Sequence, residues 1–201
     1  AVCSQYVIKD PNIENDIIRL WMGWKVAPGG YGWIFPLNDG VARIGIGTCG
    51  RFGNPKHYLE KLLNKEYPNA RILSRSGGIV PLAKPLDNFV NGNILYVGDR
   101  ANLCVPATGA GNVNALSSGR FAGQTAAMYV NGEIPDLSIY DTTIKKEFVR
   151  KLNWSYKLKE NITTSTDYLN HFFNRIKPIL WLHEHVCPGL IERFCLKNMR
   201  F

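Results

Sequence analysis

The sequence has no apolar stretch that approaches the roughly 20 residues of a membrane-spanning helix. It also has neither an initiator methionine nor a basic-then-apolar leader, and it starts on a strand-like segment, so we expect the C-terminal part of a longer protein. Its five cysteines contain no CxxC pair, which argues against a disulfide framework or a cysteine zinc site and for a reducing compartment. A cytoplasmic protein is therefore the expectation.

Acidic residues are scarce relative to basic ones, and the net charge is +8. Residues 140–201 contain 11 Lys and Arg against 6 Asp and Glu, which accounts for +5 of that charge. A basic, aromatic-rich segment suits nucleic acid, an anionic membrane surface or a phosphorylated substrate, and a solvated helical face explains the charge equally well.

Alternating apolar residues and turn signals predict strands over residues 5–8, 16–22, 31–36 and 41–47, with a turn at Asn38-Asp39-Gly40. Tyr31, Trp33 and Phe35 alternate, so their rings leave the same face of a strand. Gly45 and Gly47 on the returning strand leave room where side chains would otherwise fill the space. This aromatic ladder fits either core packing or the wall of a pocket for a long apolar ligand.

The pattern over residues 54–68 predicts a helix. Asn54 is a suitable N-cap, Pro55 is suited to the first helical position, and apolar residues recur at helical spacing up to Pro68. We expect it to cover the sheet. A short strand over residues 76–82 and a loop over 84–92 are predicted next.

Residues 93–124 combine an apolar run at 94–97, the pair Gly98-Asp99, a loop with Pro106, Gly109 and Gly111, and a small-residue helix over about 111–129. A strand that ends in an acid, followed by a glycine-rich loop and a helix, is how α/β proteins present a carboxylate and a helix N-terminus to a phosphate-bearing ligand. An ordinary strand-turn-helix is the alternative.

From Ile139 onward the spacing predicts helices, the second over about residues 166–176 and broken by Pro178. His183, Glu184, His185 and Cys187 are ligand-type residues, but the neighbouring Trp, Leu and Pro favour a helix end or core, so no metal site is predicted.

The segment from Pro28 to Pro36, PGGYGWIFP, followed by Gly45-Ile46-Gly47, resembles the PxxYxWxFP…GxG signature of the geranylgeranyl reductase family. Gly98-Asp99 with PATGAG at residues 106–111 is similar to the family's second flavin motif. The resemblance implies an FAD-dependent enzyme with a fold similar to p-hydroxybenzoate hydroxylase that saturates isoprenoid double bonds. Arg100, Ala107 and Asn112 depart from the usual motif, and the GxGxxG unit that holds the ADP half of FAD in the family is absent here.

By this resemblance Asp99 binds a ribityl hydroxyl, and the backbone around residues 109–112 faces the pyrophosphate or the N1/O2 edge of the flavin. The implied cofactor-binding residues are Gly98, Asp99, Pro106, Gly109, Gly111 and Asn112. Substrate-binding residues are Tyr31, Trp33, Phe35, Gly45 and Gly47, and Tyr31 and Trp33 are the catalytic candidates. Implied partners are a prenyl lipid or prenyl diphosphate, an unidentified electron donor for the flavin, and a membrane surface touched by the basic C-terminal region, with no nucleic acid.

The predicted fold class is α+β in three parts. Residues 1–76 form an antiparallel substrate-binding sheet with its covering helix, residues 77–135 a strand-loop-helix from an FAD-binding domain, and residues 136–201 a helical region. Two alternatives remain: a flavin monooxygenase or halogenase of the same superfamily, or a non-catalytic fragment that binds lipid or a protein partner. We expect residues 1–201 alone to hold little or no FAD.

Overall fold

The computed structural model describes residues 1–49 and 52–164. The first strands are β1 (Val2–Lys9), β2 (Arg19–Met22), β3 (Tyr31–Asn38) and β4 (Val41–Thr48), and helix α1 (Pro55–Glu66) precedes β5 (Arg71–Ile79). A two-residue pair follows, β6 (Val90–Asn91) with β7 (Ile94–Leu95), and then helices α2 (Asn112–Val130), α3 (Ser138–Ile144) and α4 (Arg150–Thr164). This confirms the predicted α+β class.

The five long strands form one antiparallel sheet in the order β2-β3-β4-β1-β5. The β3–β4 hairpin turns at Asp39 and Gly40, both of which have positive φ, the geometry that matches the twist of paired strands. The Asn54 side chain accepts a hydrogen bond from the Lys56 amide at 3.0 Å and caps α1 as predicted.

Helix α1 covers one face of the sheet and buries the first hydrophobic core. Leu59, Leu62 and Leu63 of α1 pack there against Ile34, Ile44 and other apolar side chains of the strands. These residues lie on one face of each element, because strand side chains alternate and helical ones recur every three to four positions. The other face of β3 is therefore left to Tyr31, Trp33 and Phe35.

A second hydrophobic core lies between the 86–105 segment and the helices. Phe89, Leu103, Tyr140 and Ile144 are completely buried in it, and the Tyr140 hydroxyl donates to the Tyr96 carbonyl oxygen at 2.6 Å. The division of the chain at residues 76 and 135 stays a prediction.

Three predicted strands differ clearly from the observed ones. The strand predicted over residues 16–22 is β2, which begins only at Arg19. The strand placed at residues 76–82 is β5, which ends at Ile79 and begins earlier, at Arg71. The strand placed at 94–97 is only the two-residue β7, because a single turn of 3-10 helix begins at Gly98. Asp99 thus lies in that turn (Gly98–Ala101) and not at the end of a long strand.

Helices α3 and α4 are joined by a π-helical segment, Lys145–Val149, in the region predicted to be helical. The predicted helix at 166–176 and the ligand-type residues His183, Glu184, His185 and Cys187 lie outside the described residues. Over the part of the chain that is described, we find no helix with the length and apolar character needed to traverse a bilayer.

Candidate functional site

The aromatic ladder on β3 lies outside the buried core of the sheet. Tyr31 and Trp33 are half-buried, Phe35 is 39% exposed, and none of the three packs with the core under α1. Their rings contact one another instead: the Tyr31 and Trp33 centroids are 5.8 Å apart and edge-to-face, and those of Trp33 and Phe35 are 6.3 Å apart and stacked. Of the two interpretations left open by the sequence, the geometry favours a wall over core packing.

The absence of side chains on the glycines of β4 leaves the space that the Trp33 indole occupies. Trp33 is paired with Gly45 across the hairpin, and a Cβ atom on Gly45 would lie 2.4 Å from Cζ2 of Trp33. The indole Nε1 donates to Oε1 of Gln5 at 3.3 Å. A Cβ on Gly47 would lie 3.1 Å from Sγ of Cys3. The room that the glycines leave is therefore taken by the indole itself, which lies flat on β4.

Tyr31 joins the ladder to the glycine-rich loop. Its hydroxyl donates to the carbonyl oxygen of Thr108 at 2.8 Å, and that oxygen belongs to a residue 77 positions further along the chain. Burial first, and then negative charge on the nearby Cys3 and Cys104 sulfurs, raise the pKa of Tyr31 above its usual value. The hydroxyl is protonated at neutral pH with or without this shift and acts as a donor.

The loop at residues 105–111 is closed by its own backbone. The Gly109 amide donates to the Val105 carbonyl at 2.8 Å, the Val105 amide donates to Ala110 at 2.8 Å, and Gly109 has φ +75°. The Ala110 amide donates to Oγ1 of Thr108 at 3.3 Å. Two of the amides that the resemblance assigned to a flavin, those of Gly109 and Ala110, are thus used inside the loop.

The first turn of α2 provides the remaining donors. No side chain caps this helix at Gly111, and Asn112 at its first position is exposed. Uncapped amides at a helix N-terminus suit an anion or an electron-rich edge. The donors that could face a flavin are therefore the backbone amides from residue 111 or 112 onward.

Asp99 lies beside this helix start. A Cβ on Gly111 would be 3.3 Å from Oδ1 of Asp99 and 3.4 Å from Sγ of Cys104. Burial, followed by the Asp99 charge, raises the pKa of Cys104 to about 11. The Gly98 amide donates to Oγ of the buried Ser118 at 3.1 Å, which fixes the turn against α2. An exposed carboxylate and uncapped amides thus meet at one place.

Two residues of the motif have other surroundings. Pro106 is completely buried. Arg100 lines an open cavity of about 650 Å³ together with Leu86, Asn88 and Tyr96, and none of the candidate flavin residues contributes to it. Arg100, which departs from the usual motif, therefore lines a cavity that is separate from the candidate flavin residues.

The structure thus brings the predicted residues into two clusters linked by Tyr31. The ladder with Gly45 and Gly47 forms one, and Gly98, Asp99, Gly111 and Asn112 form the other. Sequence reasoning missed the side chains that fix these clusters, namely Gln5, Thr108, Ser118 and Ser155. The buried Ser155 on α4 accepts a hydrogen bond from the Ala107 amide at 3.1 Å, and no motif marks it.

Comparison with protein families supports the first of the two motifs, the one at residues 28–47. Residues 1–80 match the model described as geranylgeranyl reductase catalytic domain. This part of the chain is therefore similar to the catalytic domain of geranylgeranyl reductases. Those residues carry the whole sheet, α1 and the aromatic ladder.

Curated relatives extend this likeness along the chain. A digeranylgeranylglycerophospholipid reductase of Methanocella arvoryzae is 34% identical over 171 residues, which is 82% of this chain and 44% of the relative. A second from Methanococcoides burtonii is 38% identical over 128 residues, 62% of this chain and 31% of the relative. The chain thus spans less than half the length of these two geranylgeranyl reductase relatives.

Solved structures agree on the fold. A geranylgeranyl bacteriochlorophyll reductase-like protein from Thermoplasma acidophilum has a TM-score of 0.75 and 28% identity, and the match covers 84% of this chain and 44% of that one. A flavin-dependent brominase variant has a TM-score of 0.57 over 95% of this chain and 49% of its own, at 16% identity, which shows the fold alone.

Proposed function

We propose that this chain forms the substrate side and the ring end of the flavin site in an FAD-dependent reductase that saturates the geranylgeranyl double bonds of a prenyl lipid. The observation that carries the proposal is the Tyr31–Thr108 hydrogen bond, which joins the aromatic wall to the flavin-type loop in one assembly. The relatives, named as reductases of a geranylgeranyl phospholipid, support this substrate class.

The residues fit one end of a flavin. Asp99 is an exposed acceptor for a ribityl hydroxyl, and the uncapped start of α2 supplies backbone donors beside it. Gly111 fits the site because any side chain there would press on Asp99 and Cys104. We assign the adenine end to the part of the relatives' length that this chain does not match.

When bound and reduced, the flavin supplies a hydride. An unactivated trisubstituted alkene resists hydride until positive charge develops at its tertiary carbon. The faces of Tyr31 and Trp33 can stabilise that charge by cation–π attraction, worth about 0.5–2 kcal/mol per ring. Phe35 extends the apolar wall along the chain and is open enough, at 39% exposure, to be covered by a long isoprenoid.

Two roles for Tyr31 follow from its hydroxyl. It holds the loop through the Thr108 carbonyl, and it carries a proton next to the aromatic wall that an alkene carbon can accept. Burial raises the pKa of Tyr31, which makes the hydroxyl a weaker acid, so this second role needs the developing charge on the substrate. Water is an equally good proton source by the same geometry, because Tyr31 is only half-buried.

The test uses the purified chain alone and the chain joined to the part of the Methanocella arvoryzae relative that it does not match. Each is given FAD, dithionite and digeranylgeranylglycerol phospholipid, and the product is weighed by mass spectrometry. We expect a gain of two hydrogens per double bond in the joined protein and little bound FAD in the chain alone. Trp33→Ala should lower the rate more than Trp33→Phe, with Trp21→Phe on β2 as the control.

In a parallel assay with limiting dithionite, air and a bromide salt, a product that gains oxygen or halogen would replace the reductase with a monooxygenase or halogenase. If the visible spectrum of the purified joined protein showed no bound flavin, the flavin assignment would be wrong. Full reduction by both Tyr31→Phe and Trp33→Ala would remove these two residues from the chemistry.

A further inference from the structure

Trp154 on α4 is 67% exposed, although large aromatic side chains are usually buried. The rest of α4 is not loosely held. Leu152 is buried, Oγ of Ser155 accepts the Ala107 amide, and Nζ of Lys159 donates to the Leu82 carbonyl at 2.9 Å. The indole therefore stands out from a helix whose inner face is fixed.

Basic residues surround this indole. Arg150 is four positions before Trp154 and Lys157 three positions after it, so both lie on the same face of the helix, and both are exposed. Glu160, the acid of this turn, is hydrogen-bonded to Tyr156. The outer face of α4 thus presents one large amphipathic ring between two cations.

We propose that the outer face of α4, formed by Arg150, Trp154 and Lys157, docks on an anionic lipid surface. Indole rings favour the boundary between headgroups and acyl chains, and cations on either side attract anionic headgroups. The proposal rests on the proposed function, because a substrate that is a phospholipid has to be reached in a membrane.

The inner face of α4 gives this docking a consequence for the site. Ser155, the next residue after Trp154, holds the Ala107 amide of the glycine-rich loop. A helix with its side chains is about 10–12 Å across, so a membrane under Trp154 lies roughly that far from the loop. A prenyl chain can bridge this distance without leaving the lipid entirely.

The test is sedimentation of the full chain with vesicles of phosphatidylglycerol and phosphatidylcholine at equal parts, at low and at high salt. We expect binding to anionic vesicles that weakens with salt. Trp154→Ala and the double variant Arg150→Glu/Lys157→Glu should each lower the partition coefficient at least tenfold. The blue shift of tryptophan emission on vesicle addition should disappear in Trp154→Phe.

Controls match each change. Ile139→Ala removes another exposed apolar side chain, and Lys9→Glu/Arg43→Glu reverses two exposed charges on the sheet. Both should bind vesicles like the parent, and circular dichroism should show every variant folded. Equal binding by the parent and the two α4 variants would overturn the proposal, as would salt-insensitive binding to pure phosphatidylcholine.

Binding to a DNA duplex but not to vesicles would assign the face to nucleic acid and likewise overturn it. The proposed function fails separately. Reduction of substrate by the joined protein in detergent micelles needs no vesicle surface. If the joined protein binds vesicles but does not reduce the substrate in micelles, the proposed reductase activity is contradicted and the docking proposal is not.

Discussion

Gly45 is where the aromatic ladder is most sensitive to a single added carbon. In Gly45→Ala the new Cβ would lie 2.4 Å from Cζ2 and 2.5 Å from Cε2 of Trp33, far inside contact distance. Overpacking of this kind costs about 1–3 kcal/mol of unfolding free energy. The loss of glycine entropy in the unfolded chain returns about 0.4–1 kcal/mol, so the net cost should be about 1–2 kcal/mol.

A double-mutant cycle isolates the contact with Trp33. In Trp33→Ala the indole is gone, so Gly45→Ala should then be neutral or slightly stabilising, and the coupling between the two changes should be about 1–3 kcal/mol. Urea unfolding of the four proteins measures it. Gly47→Ala is the matched control, because its Cβ would lie 3.7 Å from the indole and only press on Cys3. An equal penalty for Gly45→Ala with and without the indole would refute this account of the ladder.

Two further predictions use the second core and the flavin-side turn. Burial acts to raise the pKa of Asp141, but the Lys145 ammonium and the Phe89 amide outweigh it and hold the pKa below its usual value. The resulting stability is present above the unfolded pKa and is lost as pH falls through the folded one. Asp141→Ala should therefore cost about 1 kcal/mol at pH 7, and the gap to the parent should close below about pH 4 in thermal melts. Cys104 is buried with a pKa of about 11, so native protein at pH 8 should resist alkylation there by iodoacetamide while denatured protein reacts, and fast native labelling would contradict its burial.

Local signals predicted the hairpin and α1 well. The Asp39-Gly40 turn and the Asn54 cap act within a few residues, so the sequence alone contains the information. β5 was placed too late because its first five residues, Arg71-Ile72-Leu73-Ser74-Arg75, show no alternation of apolar and polar side chains, and the strand forms by pairing with the edge of β1. β7 was placed too long because an apolar run continues into a turn that starts at Gly98.

In the candidate site, too, local features were predicted from the sequence and contacts between distant segments were not. Alternation at Tyr31, Trp33 and Phe35 put the rings on one face, and the structure has them there. The contact of Tyr31 with Thr108 spans 77 positions, and such pairings depend on the whole fold. Gly45 was expected to leave room where a side chain would otherwise fill the space, and the indole of Trp33 occupies that room.

The loop at residues 105–111 is held from two directions, which makes a last prediction possible. Tyr31 on the sheet holds the Thr108 carbonyl and Ser155 on α4 holds the Ala107 amide. Tyr31→Phe and Ser155→Ala should each cost about 0.5–1.5 kcal/mol, because the other contact still positions the loop. Together they should cost at least about 0.5 kcal/mol more than the sum, because the loop then loses both long-range anchors at once. Hydrogen exchange at the Gly109 amide should rise sharply only in the double variant, and strict additivity with unchanged exchange would show that the internal hydrogen bonds of the loop are sufficient.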